Sequence, residues 1–285
     1  MSETLAILWR QGLLQNALLG GLLASVACGV VGSYVTVKRI TYIAGAIAHC
    51  TLGGMGAAMY LKKVHGMNWC TPLSGAAFAA VLAALVIGVV TLHWKQRSDT
   101  VLSALWSVGM ATGIIFIRMT PGYSQDLMSY LFGDILYISR GDLLMVGALD
   151  VVVLGLSVVF FSKLLAVCFD EEHARISGVN VRLYYMMLMV LTALSVVLLI
   201  RIVGIIMLIA LLALPAATAG QFARRMAGMM GLAVLISALC TAGGTMLAIG
   251  TGLPPGAVIV LLAAAVYVVS LAGRQVALRS RSGTA

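Results

Sequence analysis

Long apolar runs dominate this sequence, and they restrict its fold more than any other feature. A helix needs about 20 apolar residues to cross the hydrocarbon of a bilayer, which is about 30 Å thick. Only 9% of the 285 residues are charged, whereas soluble domains carry about 25%. We therefore predict an all-α, polytopic integral membrane helix bundle. About nine transmembrane helices are expected, at residues 13–37, 43–61, 73–93, 100–118, 142–163, 183–200, 202–223, 228–249 and 255–273.

One further apolar segment, residues 127–138, is too short to span a bilayer. Because backbone polar groups at membrane depth must be satisfied, we predict a short external helix there, interfacial or re-entrant. No soluble domain or long linker interrupts the sequence. Residues 1–285 are therefore expected to form a single transmembrane domain.

Basic residues are distributed unevenly between the two sets of loops, and this sets the predicted orientation. One set, with the C-terminal tail, carries twelve of the 18 Lys and Arg residues, and the other carries six. Lys and Arg favour the cytoplasmic side, so we expect the N-terminus outside and the C-terminus in the cytoplasm. The basic residues stand singly or in pairs at the ends of apolar runs. That placement indicates contact with a lipid bilayer rather than with nucleic acid.

A charged cluster at residues 170–178 interrupts the apolar pattern and holds three of the nine acidic residues. Charges are costly in hydrocarbon, so this segment is expected in water, on the cytoplasmic side. Asp170 is a suitable N-cap and Gly178 a suitable C-terminal stop, which predicts a short helix within about residues 169–179. A small capped helix between two spans indicates a docking surface for a partner.

Motifs of membrane enzymes and of ATP binding are absent from the sequence. It contains no His-Glu-x-x-His, no Gly-x-Ser-x-Gly and no Walker phosphate loop. The five cysteines are odd in number and scattered, which excludes a disulfide framework. We expect this chain not to be an enzyme, and we expect any ATP hydrolysis to occur on a separate subunit.

Ionisable residues inside the membrane are candidates for a transport pathway. Asp150 lies about 12 Å into the fifth predicted span and shares a face with Gly147 and Ser157. This stripe either lines a cavity or holds a carboxyl group for structural reasons. His49 lies among small residues, where it is either a metal ligand or a hydrogen-bonded structural residue. Asp134, in the external segment, either attracts cations or caps that segment.

Four stretches of the sequence resemble the permeases of zinc/manganese/iron ABC importers. Residues 204–219, which end in Pro-Ala-Ala-Thr-Ala, are similar to the signature span of that family. Residues 169–178 resemble its cytoplasmic coupling helix, and residues 129–136 its external segment. Residues 44–50 resemble its Gly-Asp-Ala-Ile-Ser-His-Ala stretch. The resemblance covers essentially the whole chain, in order.

This resemblance implies the permease subunit of an importer that moves zinc, manganese or iron into the cytoplasm across a bacterial plasma membrane. It implies no tightly bound cofactor. The implied partners are a cytoplasmic ATPase that binds ATP, an external metal-binding receptor protein and a second permease copy, with a homodimer expected. The residues implied to couple the permease to its ATPase are Asp170, Glu171, Glu172, His173, Ala174 and Gly178.

The resemblance also bears on Pro215 and on the position one turn before His49. Pro215 is expected to act as a hinge, because proline frees a backbone carbonyl and weakens a helix locally. The family has an Asp one turn before its histidine, and this chain has Gly45 there. His49 therefore lacks its usual carboxylate partner. Either Asp150 or Asp134 supplies the missing oxygen, or the cargo differs from a bare divalent ion.

Two other functions stay open on the sequence. One is an ion-coupled secondary transporter or channel that uses Asp150 and His49 as a relay. The other is an ABC permease for a metal chelate. The charged helix separates the first from an ABC permease, because only an ABC permease needs that helix to assemble with an ATPase.

Overall fold

The structure is a computed structural model that describes residues 12–93, 98–121, 133, 135 and 138–282, and the regular elements in this part are all helices. In chain order they are α1 (Leu13–Val37), α2 (Thr41–Val64), α3 (Pro72–His93), α4 (Ser98–Met119), α5 (Arg140–Val159), α6 (Phe161–Phe169), α7 (Glu171–Ile176), α8 (Val181–Val203), α9 (Ile205–Phe222), α10 (Met226–Thr251) and α11 (Pro255–Ser282).

Eight of these helices are long and apolar enough to cross a membrane, namely α1, α3, α4, α5, α8, α9, α10 and α11. The prediction of a polytopic helical bundle is confirmed. Helix α2 corresponds to the second predicted span, 43–61, which has no counterpart among these eight. Its 24 residues would extend about 36 Å, so its length suffices, but it contains no stretch as hydrophobic as those of these eight helices. It packs against both α3 and α4, and a helix covered on two sides needs less apolar surface.

The fifth predicted span, 142–163, is wrong at both ends. Helix α5 begins earlier, because the Asp142 amide donates to Ser139 Oγ while the Ser139 amide donates to the Asp142 carboxylate, each at 3.2 Å. It ends at Val159, and Phe160 separates it from the short helix α6. The sequence stays apolar through this break and has no Gly or Pro there, so the pattern does not reveal it.

A single residue, Gly204, connects α8 to α9. Its φ of 78° and ψ of 166° lie in a region that is essentially restricted to glycine. The predicted boundary between the two spans is Arg201, whereas the helices meet at Gly204. The reason is local, because only the glycine can adopt the backbone conformation that redirects the chain.

Glycines set the distance between α2 and its two neighbours. A side-chain carbon at Gly109 of α4 would lie 2.8 Å from the Cα atom of Cys50. One at Gly54 would lie 2.2 Å from the carbonyl oxygen of Gly75 in α3. Helices in lipid gain no hydrophobic drive toward one another, so close approach at small residues is what holds them. Small residues therefore hold this part of the bundle together.

Replacing Gly109 with Ala should lower the apparent midpoint of thermal unfolding of the purified protein in detergent. Helices α2 and α4 must separate to accept the methyl group, and such overpacking costs about 1–3 kcal/mol. Gly155→Ala on α5 is the control, because a carbon there meets nothing within 4 Å. The midpoint of the control should be no lower than that of the wild type, because Ala favours the helix over Gly. An unchanged midpoint for Gly109→Ala would contradict the close packing of α2 on α4.

Candidate functional site

His49 is buried in α2, with its ring against Trp106 of α4. The two ring centroids are 4.4 Å apart and the planes are inclined by 27°, so the rings are stacked. The Nδ1 atom is buried and has no hydrogen-bonding partner in the described part of the chain. Buried polar atoms that serve only structure are normally hydrogen-bonded. A purely structural histidine would normally have such a hydrogen bond, so its absence argues against a purely structural role for His49.

Trp106 also fills the space beside Gly45. A side-chain carbon at Gly45 would lie 2.6 Å from the indole Cζ3 atom. Residue 45 is one turn before His49, so both face α4. A carbon at Gly53 or Gly56 would likewise come within 2.9 Å of a carbonyl oxygen of α4. Gly45, His49, Gly53 and Gly56 therefore share one face of α2, and that face is turned toward α4.

Two cavities lie at the end of the bundle where α2 and α4 begin. The larger, about 550 Å³, includes Arg39 and Gly45 in its lining. The smaller, about 480 Å³, includes Asp99. Tyr42 and Trp106 line both cavities. The two cavities therefore meet at the same pair of aromatic side chains.

Asp150 lies at a different interface, between α5 and α1. It is 5% exposed, and neither carboxylate oxygen makes a hydrogen bond of normal geometry with the described residues. Cys28 of α1 lies near it. Ser157, on the same face, is also buried, with its hydroxyl oxygen unpaired within the described part. Asp150 and Ser157 of the predicted stripe therefore lie against α1, and Asp150 and His49 lie at separate interfaces.

No group of three or more His, Cys, Asp or Glu side chains that could hold a metal ion is formed by the described residues. Asp134 and most of the predicted external helix 127–138 lie outside those residues.

The charged cluster forms a short capped helix, as the sequence predicts. Asp170 Oδ1 accepts hydrogen bonds from the amide of Glu172 at 2.9 Å and from that of His173 at 3.0 Å. These bonds, the one from His173 foremost, lower the pKa of Asp170 because they favour the charged carboxylate. The cap therefore stabilises α7 above the ordinary aspartate pKa, and its contribution is lost as the pH falls through the lowered one. Gly178 ends the motif with a φ of 76°.

The residues predicted to couple to an ATPase do not all face solvent. Ala174 is fully buried. Glu171 turns inward, where its Oε1 atom lies 2.6 Å from the Nζ atom of Lys38. Glu172 and His173 are exposed, as are Asp170 and Gly178. The outer face of α7 is therefore available to a partner, and its inner face is already occupied.

Lys38, directly after α1, joins α7 to the turn between α1 and α2. Its Nζ atom also donates to the carbonyl oxygen of Val167 in α6 at 2.8 Å and lies 5.9 Å from the ring centroid of Tyr185 in α8. The Lys38 side chain is 14% exposed, so solvent screens the ion pair less than a surface pair. Sequence reasoning missed this residue because it is 133 positions from Glu171.

Pro215 is buried in α9, and the helix continues through it without interruption. Thr218 Oγ1 donates to the carbonyl oxygen of Leu214 at 2.8 Å. A side-chain carbon at Gly32 of α1 would lie 2.2 Å from the carbonyl oxygen of Leu212. The α1 backbone therefore lies directly beside the turn that precedes the proline. The hinge role of Pro215 stays a prediction.

Comparison with known proteins decides the family. A family model described as the ABC 3 transport family matches residues 10–274. The chain belongs to this family. It is 40% identical over 254 residues to a "probable metal transport system membrane protein" of Chlamydia pneumoniae, covering 89% of this chain and 86% of that one. It is 30% identical over 254 residues to the manganese transport system membrane protein MntC of Halalkalibacterium halodurans, covering 89% and 85%.

A solved structure supports the same assignment. The chain superposes with a TM-score of 0.82 and 30% identity on a chain of PsaBC from Streptococcus pneumoniae in complex with Fab, and 94% of each chain is covered. The resemblance drawn from the four sequence stretches is thus confirmed. The protein is a multi-pass membrane permease of an ABC transporter and not itself an enzyme. An ABC importer permease works with an ATPase and a substrate-binding protein, so partners of both kinds are implied.

The pair Lys38–Glu171 should show strong coupling in a double-mutant cycle. Lys38→Met and Glu171→Gln each leave one partner half-buried without its counterpart, so each should lower the unfolding midpoint. The loss of unfolding free energy in the double variant should be about 1 kcal/mol smaller than the sum of the two single losses. Glu172→Gln, on the exposed side of α7, is the control and should leave the midpoint unchanged. Strictly additive losses would show that the pair contributes nothing to stability.

Proposed function

We propose that this chain is the permease that carries a divalent transition-metal ion into the cytoplasm, manganese or zinc first and iron next. The observation that carries the proposal is the similarity, over most of the chain, to membrane proteins named for metal and manganese transport. Those names favour a metal ion over a metal chelate. Membership of an ABC family also disfavours an ion-coupled secondary transporter or channel.

The proposed orientation places the C-terminus and α7 in the cytoplasm. Lys38 and Glu171 link α7 to the α1–α2 turn, and Arg39 of that turn lines one of the two cavities. Both cavities would therefore open toward the cytoplasm. A metal ion that leaves the pathway would pass Tyr42 and Asp99 there. The basic loops support this orientation, since cytoplasmic loops are enriched in Lys and Arg.

We assign His49 to the pathway as a ligand for the cargo. A neutral imidazole offers one nitrogen lone pair to a transition-metal ion, and His49 has a ring nitrogen without another partner in the described part. Asp150 is proposed as a second polar group that joins the route only when α1 and α5 separate. Asp134 is proposed to attract cations at the external end.

A second copy of the chain is proposed to complete the pathway. Helix α4 is the least buried of the eight apolar spans, and its exposed residues Ser103 and Ser107 line the smaller cavity. Hydroxyl groups on an otherwise apolar surface fit a helix interface better than lipid. A homodimer with α4 at its interface would close this cavity and would bring two copies of His49 into one assembly.

The ATPase is proposed to dock on the outer face of α7, at Glu172, His173 and the exposed Ile176. Motion of α7 would pass through Glu171 and Lys38 to the start of α2, the helix that carries His49. Packed helices respond to such forces by sliding as rigid elements. Pro215, in the helix beside α1, would let α9 bend as α1 moves.

His49→Ala should reduce metal uptake at least about tenfold, as loss of metal-site residues commonly does, and should leave assembly with the ATPase intact. The measurement is uptake of manganese and zinc by vesicles that contain the permease, its ATPase and its receptor. His93→Ala is the control, because His93 is exposed at the end of α3. Uptake that is unchanged for every metal in the panel would remove His49 from the pathway.

The charge reversal Glu172→Lys, combined with Ile176→Asp, should abolish co-purification of the ATPase. Both side chains are exposed, Ile176 at 85%, so the unfolding midpoint of the isolated permease should not change. Lys62→Glu reverses an exposed charge at the opposite end of the bundle and should leave the complex intact. A complex that survives the double variant would refute docking on this face of α7.

A further inference from the structure

An indole ring separates His49 from both cavities. Trp106 lines each cavity, whereas His49 is not among the residues that line either of them. The indole is stacked on the imidazole, and His49 is 8% exposed. We propose that Trp106 is the residue that controls access to His49: its ring covers the imidazole on the side of the cavities, and cargo passes only when the ring moves aside.

The position of the ring depends on Gly45. A side-chain carbon at Gly45 would lie 2.6 Å and 2.8 Å from two carbon atoms of the Trp106 ring, well inside van der Waals contact. Any side chain at this position would therefore displace the indole from His49. Gly45 and Trp106 form a matched pair, in which the missing side chain of one makes room for the other. Gly45, which stands where the family has an aspartate, thus leaves the space that the Trp106 ring occupies.

The backbone on both sides of Trp106 is held against α2. Cys50 Sγ donates to the carbonyl oxygen of Leu105 at 3.3 Å. Gly109, one turn further along, abuts the Cα atom of Cys50. Helix α4 is therefore fixed at this level, and the Trp106 side chain is the part that can move. The cavities give it room, because Trp106 lines both of them.

Movement of the ring would connect His49 with a polar exit. The cavity beyond Trp106 is lined by Asp99, whose Oδ1 atom accepts a hydrogen bond from Tyr42 Oη at 3.3 Å. An ion released by the imidazole would next meet this carboxylate. While the ring lies over His49, the exit and the imidazole are separated, and an ion cannot pass freely between them. The role of Trp106 toward cargo rests on the proposed function, but its cover over His49 does not.

The test is the reactivity of each histidine toward diethyl pyrocarbonate, which acylates accessible neutral imidazoles, in the full-length protein in lipid nanodiscs. Peptide mass spectrometry resolves the four sites. His65, His93 and His173 are exposed and serve as internal references. In the wild type, His49 should react at least about tenfold more slowly than His65, as for a site reached only through local opening.

Trp106→Ala should raise the reactivity of His49 about tenfold or more, toward that of an exposed site, with the reference histidines unchanged. Gly45→Ala should also raise it, because the methyl group displaces the ring. Trp106→Phe should keep most of the protection, since a ring remains. Trp69→Ala is the matched control, because Trp69 is 76% exposed at the other end of the bundle. It should change nothing at His49.

Two results would overturn the proposal. One is a fast reaction of His49 in the wild type, and the other is an unchanged His49 reactivity in both Trp106→Ala and Gly45→Ala. Two independent variants keep the test decisive if one of them folds poorly. Uptake by the same variants separates this proposal from the function. If reactivity changes as expected but even the wild type carries no manganese, zinc or iron, the function is wrong and the cover stands. If the wild type carries metal and the reactivity of His49 does not change in the Trp106 variants, the proposed cover by Trp106 is wrong and the proposed function is unaffected.

Discussion

The close approach of α2 to α3 and α4 is the constraint on which the candidate site depends. Gly54 and Gly75 bring α2 and α3 into backbone contact, and Gly109 does the same for α2 and α4. This packing explains why α2 can be less apolar than the other long helices, since its neighbours cover it. It also decides what lies next to His49: a helix this close leaves space for a stacked ring and for little else. The chemistry available at His49 is therefore set by helix packing.

Features encoded within a few residues were predictable, and features made by distant residues were not. The N-cap at Asp170 and the stop at Gly178 follow from local backbone chemistry, and the structure has both. The apolar runs likewise predicted the spans, because a bilayer demands them. The break at Phe160 could not be found in this way, since the sequence is apolar on both sides of it and has no Gly or Pro there. The inward turn of Glu171 was equally hidden, because its partner lies in another part of the chain.

The same distinction applies to the candidate site. The family resemblance pointed to His49 and to the missing carboxylate at Gly45, and it left open whether Asp150 or Asp134 supplies the oxygen or the cargo differs from a bare divalent ion. The structure instead places an aromatic ring against Gly45. It places Asp150 against α1, at an interface separate from that of His49. A pattern of residue types cannot show which helix faces which, and at this position the facing helix supplies Trp106.

The inner face of α7 is held at two points, and this affects how force reaches the membrane. Ala174 is fully buried, and Glu171, nearly one turn earlier, is paired with Lys38. A helix fixed at both places cannot roll about its own axis without breaking the ion pair or exposing the alanine. A push on its outer face is therefore passed on as a displacement of the whole segment. The turn between α1 and α2 is then displaced in the direction in which the partner pushes. The reach of the Lys38 side chain limits how far it moves.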